Sequence, residues 1–136
     1  MADINERIQD EYENIERVLA EMPAAESLEN LSTLELAGVA TLLHNFYNAL
    51  ENIIKQVLQS QQTNIPSGSS WHRDMLEIAH SLDLISRKTL QQLSEYLAFR
   101  HFFSHGYALD LKPELMKPLV EKSKSVFDNF RFDIGK

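Results

Sequence analysis

Four residues that phosphodiester chemistry can use lie within eight positions of one another: Arg100, His101, His105 and Tyr107. RNA cleavage needs a base for the 2′-hydroxyl proton, a cation for the charge on the phosphorane, and an acid for the leaving oxygen. Histidine, with an unperturbed pKa near ~6.5, supplies both proton-transfer roles at neutral pH. Arginine stays charged and can bind a phosphate through two parallel hydrogen bonds. Arg100 and the two histidines, His101 and His105, are therefore the residue types that this chemistry needs.

The spacing of Arg100 and His105 limits how they can act together. At about 100° per residue, an unbroken helix would place the two side chains about 140° apart around the axis. Two arrangements resolve this. Either the helix ends before His105 and the chain turns it back, or two copies of the motif meet across a dimer and form one composite cleft.

His101 and His105 are four residues apart and share one helical face. This spacing has interpretations other than catalysis. They can be a half-buried polar pair. They can also ligate a metal ion, since histidines at this spacing do so in zinc proteases. The position of the glutamate in that zinc motif is occupied by Phe102, and no nearby carboxylate completes a ligand set. We therefore predict that the chain has no metal site.

The first two predicted helices precede these residues. Apolar residues at helical spacing predict a first helix over residues 3 to 22, which Pro23 ends. A second begins at Ser32, where Glu35 completes a capping box, and continues to about Gln61. Its predicted buried stripe comprises Leu36, Val39, Leu43, Phe46, Leu50, Ile53, Ile54 and Val57.

Three more helices are predicted after a loop rich in Pro, Gly and Ser over residues 63–70. The third helix covers about Trp71 to Leu84, and the fourth extends from near Ser86 toward Gly106, whose tolerance of positive φ suits a helix end. The last begins at Pro113, with a break or restart expected at Pro118. The chain is therefore predicted to be all-α, with the second and fourth helices at its centre.

The order of these motif residues carries a family resemblance. Arg100 is followed by a polar residue, then by His105 five positions after it and Tyr107 two further on. This order resembles the motif of HEPN ribonucleases, and among them HepT-like toxins, and the similarity extends to residues 42–58 (LLHNFYNALENIIKQVL) and 67–76 (SGSSWHRDML). The resemblance implies a single HEPN/HepT-like domain over residues 1–136, a bundle of about five helices around one long central helix.

The same resemblance implies an activity and a way to regulate it. It implies a metal-independent endoribonuclease with no cofactor, acting as a homodimer that joins two motifs, with Arg100 and His105 catalytic. His101 would contact the phosphate or the catalytic histidine. Tyr107 would be AMPylated by a minimal nucleotidyltransferase antitoxin, which would place negative charge beside the motif. Without the resemblance, Tyr107 reads as an ordinary amphipathic residue at a helix end.

Composition limits the partners of the chain. Its 136 residues fit one domain, the absence of Cys excludes disulfides and thiolate sites, and no apolar run reaches membrane length. The N-terminal residues are acidic and lack a secretory pattern, so we expect a cytoplasmic protein. The net charge of −7 argues against a general nucleic-acid binder and against DNA. Residues 87–136 nevertheless carry nine Lys and Arg against six Asp and Glu, a basic part that either contacts RNA or is a solvated face.

Other polar residues are weaker candidates. The second helix carries a set that could line the cleft or could equally mark a polar flank: His44, Asn45, Tyr47, Glu51 and Asn52. Asn45 and Asn52 are seven apart and share nearly one face. Trp71, His72 and Arg73 belong to the family-like segment, but the sequence assigns them no role.

Two classes of function follow from these observations. The first is an endoribonuclease toxin that cleaves tRNA or mRNA and is neutralised by AMPylation. The second is a non-catalytic helical module that binds a nucleotidyltransferase, a reading that the acidic pI of about 5.2 favours.

Overall fold

The computed structural model describes residues 3–106 and 108–135, which form five α-helices and no strand. The helices are α1 (Ile4–Glu21), α2 (Thr33–Ser60), α3 (Trp71–Ser81), α4 (Arg87–His105) and α5 (Pro113–Ile134). Two short 3₁₀ helices, Ala25–Asn30 and Ala108–Asp110, lie before α2 and before α5. The predicted all-α class is confirmed.

The long helix α2 begins where its sequence predicts. Ser32 Oγ accepts a hydrogen bond of 3.1 Å from the backbone N–H of Glu35, and Glu35 Oε1 accepts one of 2.9 Å from the N–H of Ser32. This reciprocal pair is the predicted capping box. Its 28 residues span about 42 Å at 1.5 Å per residue. Every residue of the predicted apolar stripe is buried.

Helix α2 is the centre of the bundle. It packs against α1, α3, α4 and α5, while α4 packs against α2, α3 and α5. A single cluster of buried residues connects these helices, with Phe46 of α2 in contact with Tyr96 of α4 at 5.2 Å between ring centroids. The predicted central pair, the second and fourth helices, is confirmed.

The start of α4 is fixed by a cap and by α5. Ser86 Oγ accepts a 3.1 Å hydrogen bond from the N–H of Thr89, which caps the helix. Asp133 Oδ2 accepts a 2.9 Å bond from the Ser86 N–H and a 2.6 Å bond from the Thr89 hydroxyl. Because Asp133 lies near the end of α5, these bonds hold the two helices together at the far end from the motif.

The end of α4 differs from its prediction. The helix does end at Gly106, but this residue has φ −101° and ψ −176°, which is extended backbone and not the positive φ expected. Glycine is favoured here by space, since an added Cβ would lie 2.9 Å from the carbonyl oxygen of Phe102. Helix α3 also ends earlier than predicted, at Ser81, because Asp83 takes φ +61° and the N–H of Leu84 bonds back to Ala79.

The break predicted at Pro118 is wrong, because α5 is continuous through it. A proline at this position removes one backbone hydrogen bond, to the carbonyl of Glu114. Met116, Leu119 and Val120, on both sides of the proline, are buried in the core, and their packing stabilises the turn that the proline weakens. Among the helices of the described residues, none is both long and apolar enough to cross a membrane.

Candidate functional site

Arg100 lies on α4 and is half-buried against α2. Its Nε atom donates a hydrogen bond of 2.9 Å to Oδ1 of Asn48, in the middle of α2. Among the described residues, Asn48 is the hydrogen-bond partner of the guanidinium group. A bond through Nε fixes the plane of the group and leaves both terminal nitrogens for parallel hydrogen bonds to a phosphate.

His105 is the last residue of α4 and is exposed. Its Nδ1 atom lies 2.9 Å from the carbonyl oxygen of His101. A carbonyl can only accept, so Nδ1 carries the hydrogen and donates. Neutral His105 therefore has its lone pair on Nε2, and this atom is the one that can accept a proton from a substrate.

His101 is exposed and lies against His105. The two ring centroids are 4.4 Å apart, at an interplanar angle of 37°. Because both side chains are exposed, the half-buried pair that the sequence allowed is not formed. The arrangement of the rings places two titratable groups beside each other at the end of α4.

The structure does not bring Arg100 and His105 together within one protomer. Helix α4 is continuous through both residues, so they differ by about 140° around the helix axis. Arg100 faces α2, whereas His105 is exposed at the helix end. The first predicted arrangement, in which the helix ends before His105, is therefore wrong. Tyr107 lies outside the described residues.

Asn48 is a residue that the sequence analysis missed. It lies three positions after Asn45 and four before Asn52, so the three asparagines follow one face of α2 at positions i, i+3 and i+7. That spacing was the signal available in the sequence. Asn45, Asn48 and Asn52 line one cavity of about 600 Å³ between α1 and α2.

His44 lies one turn before Asn48 on α2 and is half-buried. Its ring is 5.8 Å from that of Phe103, and its Nδ1 atom is buried with no hydrogen-bond partner among the described residues. Burial lowers the pKa of His44, and the positive charge of Arg100 lowers it further, while Glu51 opposes both effects. His44 is therefore kept neutral beside the arginine.

Buried Tyr47 and Glu51 form a hydrogen-bonded network with half-buried His72. Glu51 is 6% exposed, and its Oε2 atom accepts a 2.8 Å bond from the Tyr47 hydroxyl and lies 2.6 Å from Nδ1 of His72. Burial and the nearby Glu51 carboxylate raise the pKa of Tyr47, so this phenol stays protonated. Trp71 stacks on His72 with ring centroids 3.7 Å apart. These contacts join α3 to α2 and stabilise the helix that holds Asn48. They connect the two segments, residues 42–58 and 67–76, that carry the family resemblance.

A metal site is absent from the part of the chain that the structure describes. No group of three or more His, Asp or Glu side chains there could hold an ion. His101 and His105 therefore lack a third protein ligand among these residues.

The family comparison covers the helices that carry this candidate site. The family model described as HepT-like protein matches residues 38–136, which include Asn48 and the whole of α3, α4 and α5. The chain belongs to the HepT-like family of the HEPN superfamily. The family indicates a HEPN toxin–antitoxin module of the nuclease type. Searches of curated proteins and of solved structures gave no significant match.

The match divides this HepT-like protein into two parts. Most of α2 and all of α3–α5 lie within the matched residues, together with Arg100, His101 and His105. Helix α1 lies outside them. The cavity beside Asn48 therefore has one wall within the matched residues and one wall on α1.

Proposed function

We propose that this HepT-like protein is a metal-independent endoribonuclease toxin that cleaves RNA with Arg100 and His105. The observation that carries the proposal is the pair of anchors on these two side chains. Asn48 holds Arg100 by Nε and leaves its terminal nitrogens for a phosphate, while the His101 carbonyl holds Nδ1 of His105 and leaves Nε2 for proton transfer. Both side chains are thus held before any substrate binds.

The reaction follows from these two groups. Nε2 of His105 takes the proton of a 2′-hydroxyl, and the 2′ oxygen then forms a bond to the adjacent phosphorus. Arg100 binds the oxygens on which negative charge grows. The bond from phosphorus to the 5′ oxygen breaks, and that oxygen receives a proton from a protonated histidine. The products are a 2′,3′-cyclic phosphate and a 5′-hydroxyl.

The proposal includes a homodimer. Because Arg100 and His105 point about 140° apart on one continuous helix, one protomer does not direct both at a single phosphate. Two copies related by a two-fold axis would offer two arginines and two histidines to one cleft, one His105 acting as base and the other as acid. Phe102, which is 40% exposed between the two catalytic positions, supplies apolar surface for such a contact.

The proposed regulation acts on Tyr107. It is the second residue after His105, so an AMP group on its phenol would add a phosphate charge and a bulky base next to the histidine. The proposed partner is a minimal nucleotidyltransferase antitoxin that attaches this group. RNA would then be repelled by charge and excluded by volume without any refolding.

The alternative is a non-catalytic module that binds the nucleotidyltransferase. A groove between α4 and α5 favours it. Its apolar lining includes Phe99, Phe102, Leu115 and Met116, and its charged lining is two lysines, Lys112 and Lys122, against one carboxylate, Glu95. Such a surface suits a helix that combines apolar and acidic residues.

Growth after induced expression separates the two functions. If the protein is a ribonuclease, we expect the wild type to arrest growth and Arg100→Ala and His105→Ala not to do so. All three proteins should accumulate in folded form. Arg87→Ala, an exposed arginine at the other end of α4, is the matched control and should arrest growth like the wild type. A folded wild type that never slows growth, in cells without the nucleotidyltransferase, favours the binding module.

A further inference from the structure

The cavity between α1 and α2 has a lining suited to a nucleobase. Its volume is about 600 Å³, within the range of small-molecule sites. The apolar part of its surface comes from four small or branched residues: Val18, Ala20, Leu42 and Ala49. The polar part includes four amides and two carboxylates: Asn14, Asn45, Asn48, Asn52, Glu11 and Glu21.

The charges of the cavity disfavour a phosphate as its main occupant. Glu11 and Glu21 are acidic, and Arg17 is the one cation among the described lining residues. A phosphate would meet net negative charge there. A base edge that presents N–H donors would instead find carboxylate acceptors, together with amides that both donate and accept.

Glu11 supplies a carboxyl acceptor to the lining of the cavity. It is half-buried, and no salt bridge to it is recorded in the described part of the chain. Burial raises the pKa of the Glu11 carboxyl, although the nearby Asn52 amide opposes this effect. The Asn52 side chain already hydrogen-bonds to this carboxyl group, whose two oxygens have room to accept further hydrogen bonds from a ligand. Among the RNA bases, guanine presents two adjacent donors, N1–H and N2–H, beside the O6 acceptor.

The cavity is also lined by the residue that anchors the proposed catalytic arginine. Asn48 lines it and accepts the 2.9 Å hydrogen bond from Nε of Arg100. A base in the cavity would therefore lie beside the anchor of the group that binds the scissile phosphate. This links a pocket formed by α1 to a motif on α4.

We propose that the cavity between α1 and α2 binds a guanine of the substrate RNA next to the scissile phosphate. Glu11 accepts hydrogen bonds from N1–H and N2–H of the guanine, and Asn45 and Asn52 lie at the edge of the base. The position beside the phosphate depends on the proposed ribonuclease function, whereas guanine binding itself does not. Specificity for the cleavage site would then come from α1, outside the residues that the family model matches.

Binding is tested without catalysis, by NMR of the side-chain amides of Asn45, Asn48 and Asn52 in the full chain during titration with each of the four ribonucleosides. Guanosine alone should shift these signals. Glu11→Gln should weaken guanosine binding at least about tenfold, the equivalent of about 1.4 kcal/mol. Glu13→Gln, which removes an exposed carboxylate from the same helix and does not line the cavity, should leave binding unchanged. No shift, or equal shifts with all four nucleosides, would overturn the proposal.

Sequencing of the cleavage sites provides the second readout. Wild-type protein should cut next to guanine, and Glu11→Gln should cut with that preference lost. If the wild type cleaves with no base preference and the amide signals do not shift, the guanine site is contradicted and the ribonuclease function is retained. If the protein binds guanosine selectively but cleaves no RNA, the guanine site is retained and the ribonuclease function is contradicted.

Discussion

Asn48 accepts the Nε hydrogen bond of Arg100 at 2.9 Å, across the contact between α2 and α4. The two residues are 52 positions apart in the chain. An arginine held in this way presents its terminal nitrogens in a fixed plane, whereas a free one would lose rotational entropy when it bound the phosphate. The central helix of the bundle thus positions the proposed catalytic cation.

Removing this anchor should lower the rate and have less effect on substrate affinity. We expect Asn48→Ala to lower kcat about tenfold, because a hydrogen bond to a charged group is worth about 1.5–3 kcal/mol. The Arg100→Lys variant has no Nε donor. In that background, Asn48→Ala should lower kcat by less than about threefold. Asn129→Ala, which removes an amide from α5, is the matched control. Equal losses from Asn48→Ala in both backgrounds would contradict a positioning role.

The buried network around Glu51 should support the same helix. We expect Glu51→Ala to lower the free energy of unfolding by roughly 3 kcal/mol, because it leaves the Tyr47 hydroxyl and His72 without their shared acceptor. Glu95→Ala is the control, since its exposed pair with Lys122 at 3.8 Å should be worth less than about 1 kcal/mol. Urea unfolding measures both variants. A Glu51 variant as stable as the Glu95 variant would show that the network does not stabilise the fold.

The lowered pKa of His44 predicts acid sensitivity. Between this pKa and the unfolded value near ~6.5, the unfolded chain binds more protons than the folded one. Stability contributed by neutral His44 is therefore lost as the pH falls below about 6.5. Unfolding free energies at pH 7.5 and 5.5 should differ less for His44→Gln than for the wild type or for His80→Gln. Identical pH dependence in all three proteins would contradict the assignment.

The close approach at Gly106 should make the end of α4 sensitive to one methyl group. In Gly106→Ala, a Cβ placed 2.9 Å from the Phe102 carbonyl oxygen forces the backbone to shift, at a cost of about 1 kcal/mol or more. That shift would also displace His105 and lower the cleavage rate. In Gly38→Ala the new Cβ meets nothing within 4 Å inside α2, so the free energy of unfolding should rise by about 0.5–1 kcal/mol. Thermal unfolding and cleavage rates of the two variants test this contrast.

Local sequence signals predicted the helices well. The Ser32 and Glu35 pair marked the start of α2, and the periodic apolar residues after it predicted which face is buried, because both signals act within a few residues. The error at Pro118 came where packing decided the outcome, because its buried neighbours hold it in a continuous helix. At Gly106 the glycine marked the end of α4 but did not reveal that the backbone there is extended.

The candidate site was predictable only in part. Residue types and spacing on α4 indicated Arg100, His101 and His105, since they lie within one short segment. The partner of Arg100 lies on another helix, and helical periodicity gives the face of Asn48 without giving what that face contacts. Glu11 was not identified for the same reason. The role proposed for Glu11 depends on how α1 packs beside the asparagines of α2.

The most direct test of the central claim is cleavage of labelled total tRNA by purified protein with EDTA present, after intact mass has confirmed an unmodified Tyr107. We predict that the wild type cleaves, leaving 2′,3′-cyclic phosphate and 5′-hydroxyl ends, and that folded Arg100→Ala and His105→Ala do not. No cleavage by folded, unmodified wild type, or equal cleavage by all three proteins, would contradict it.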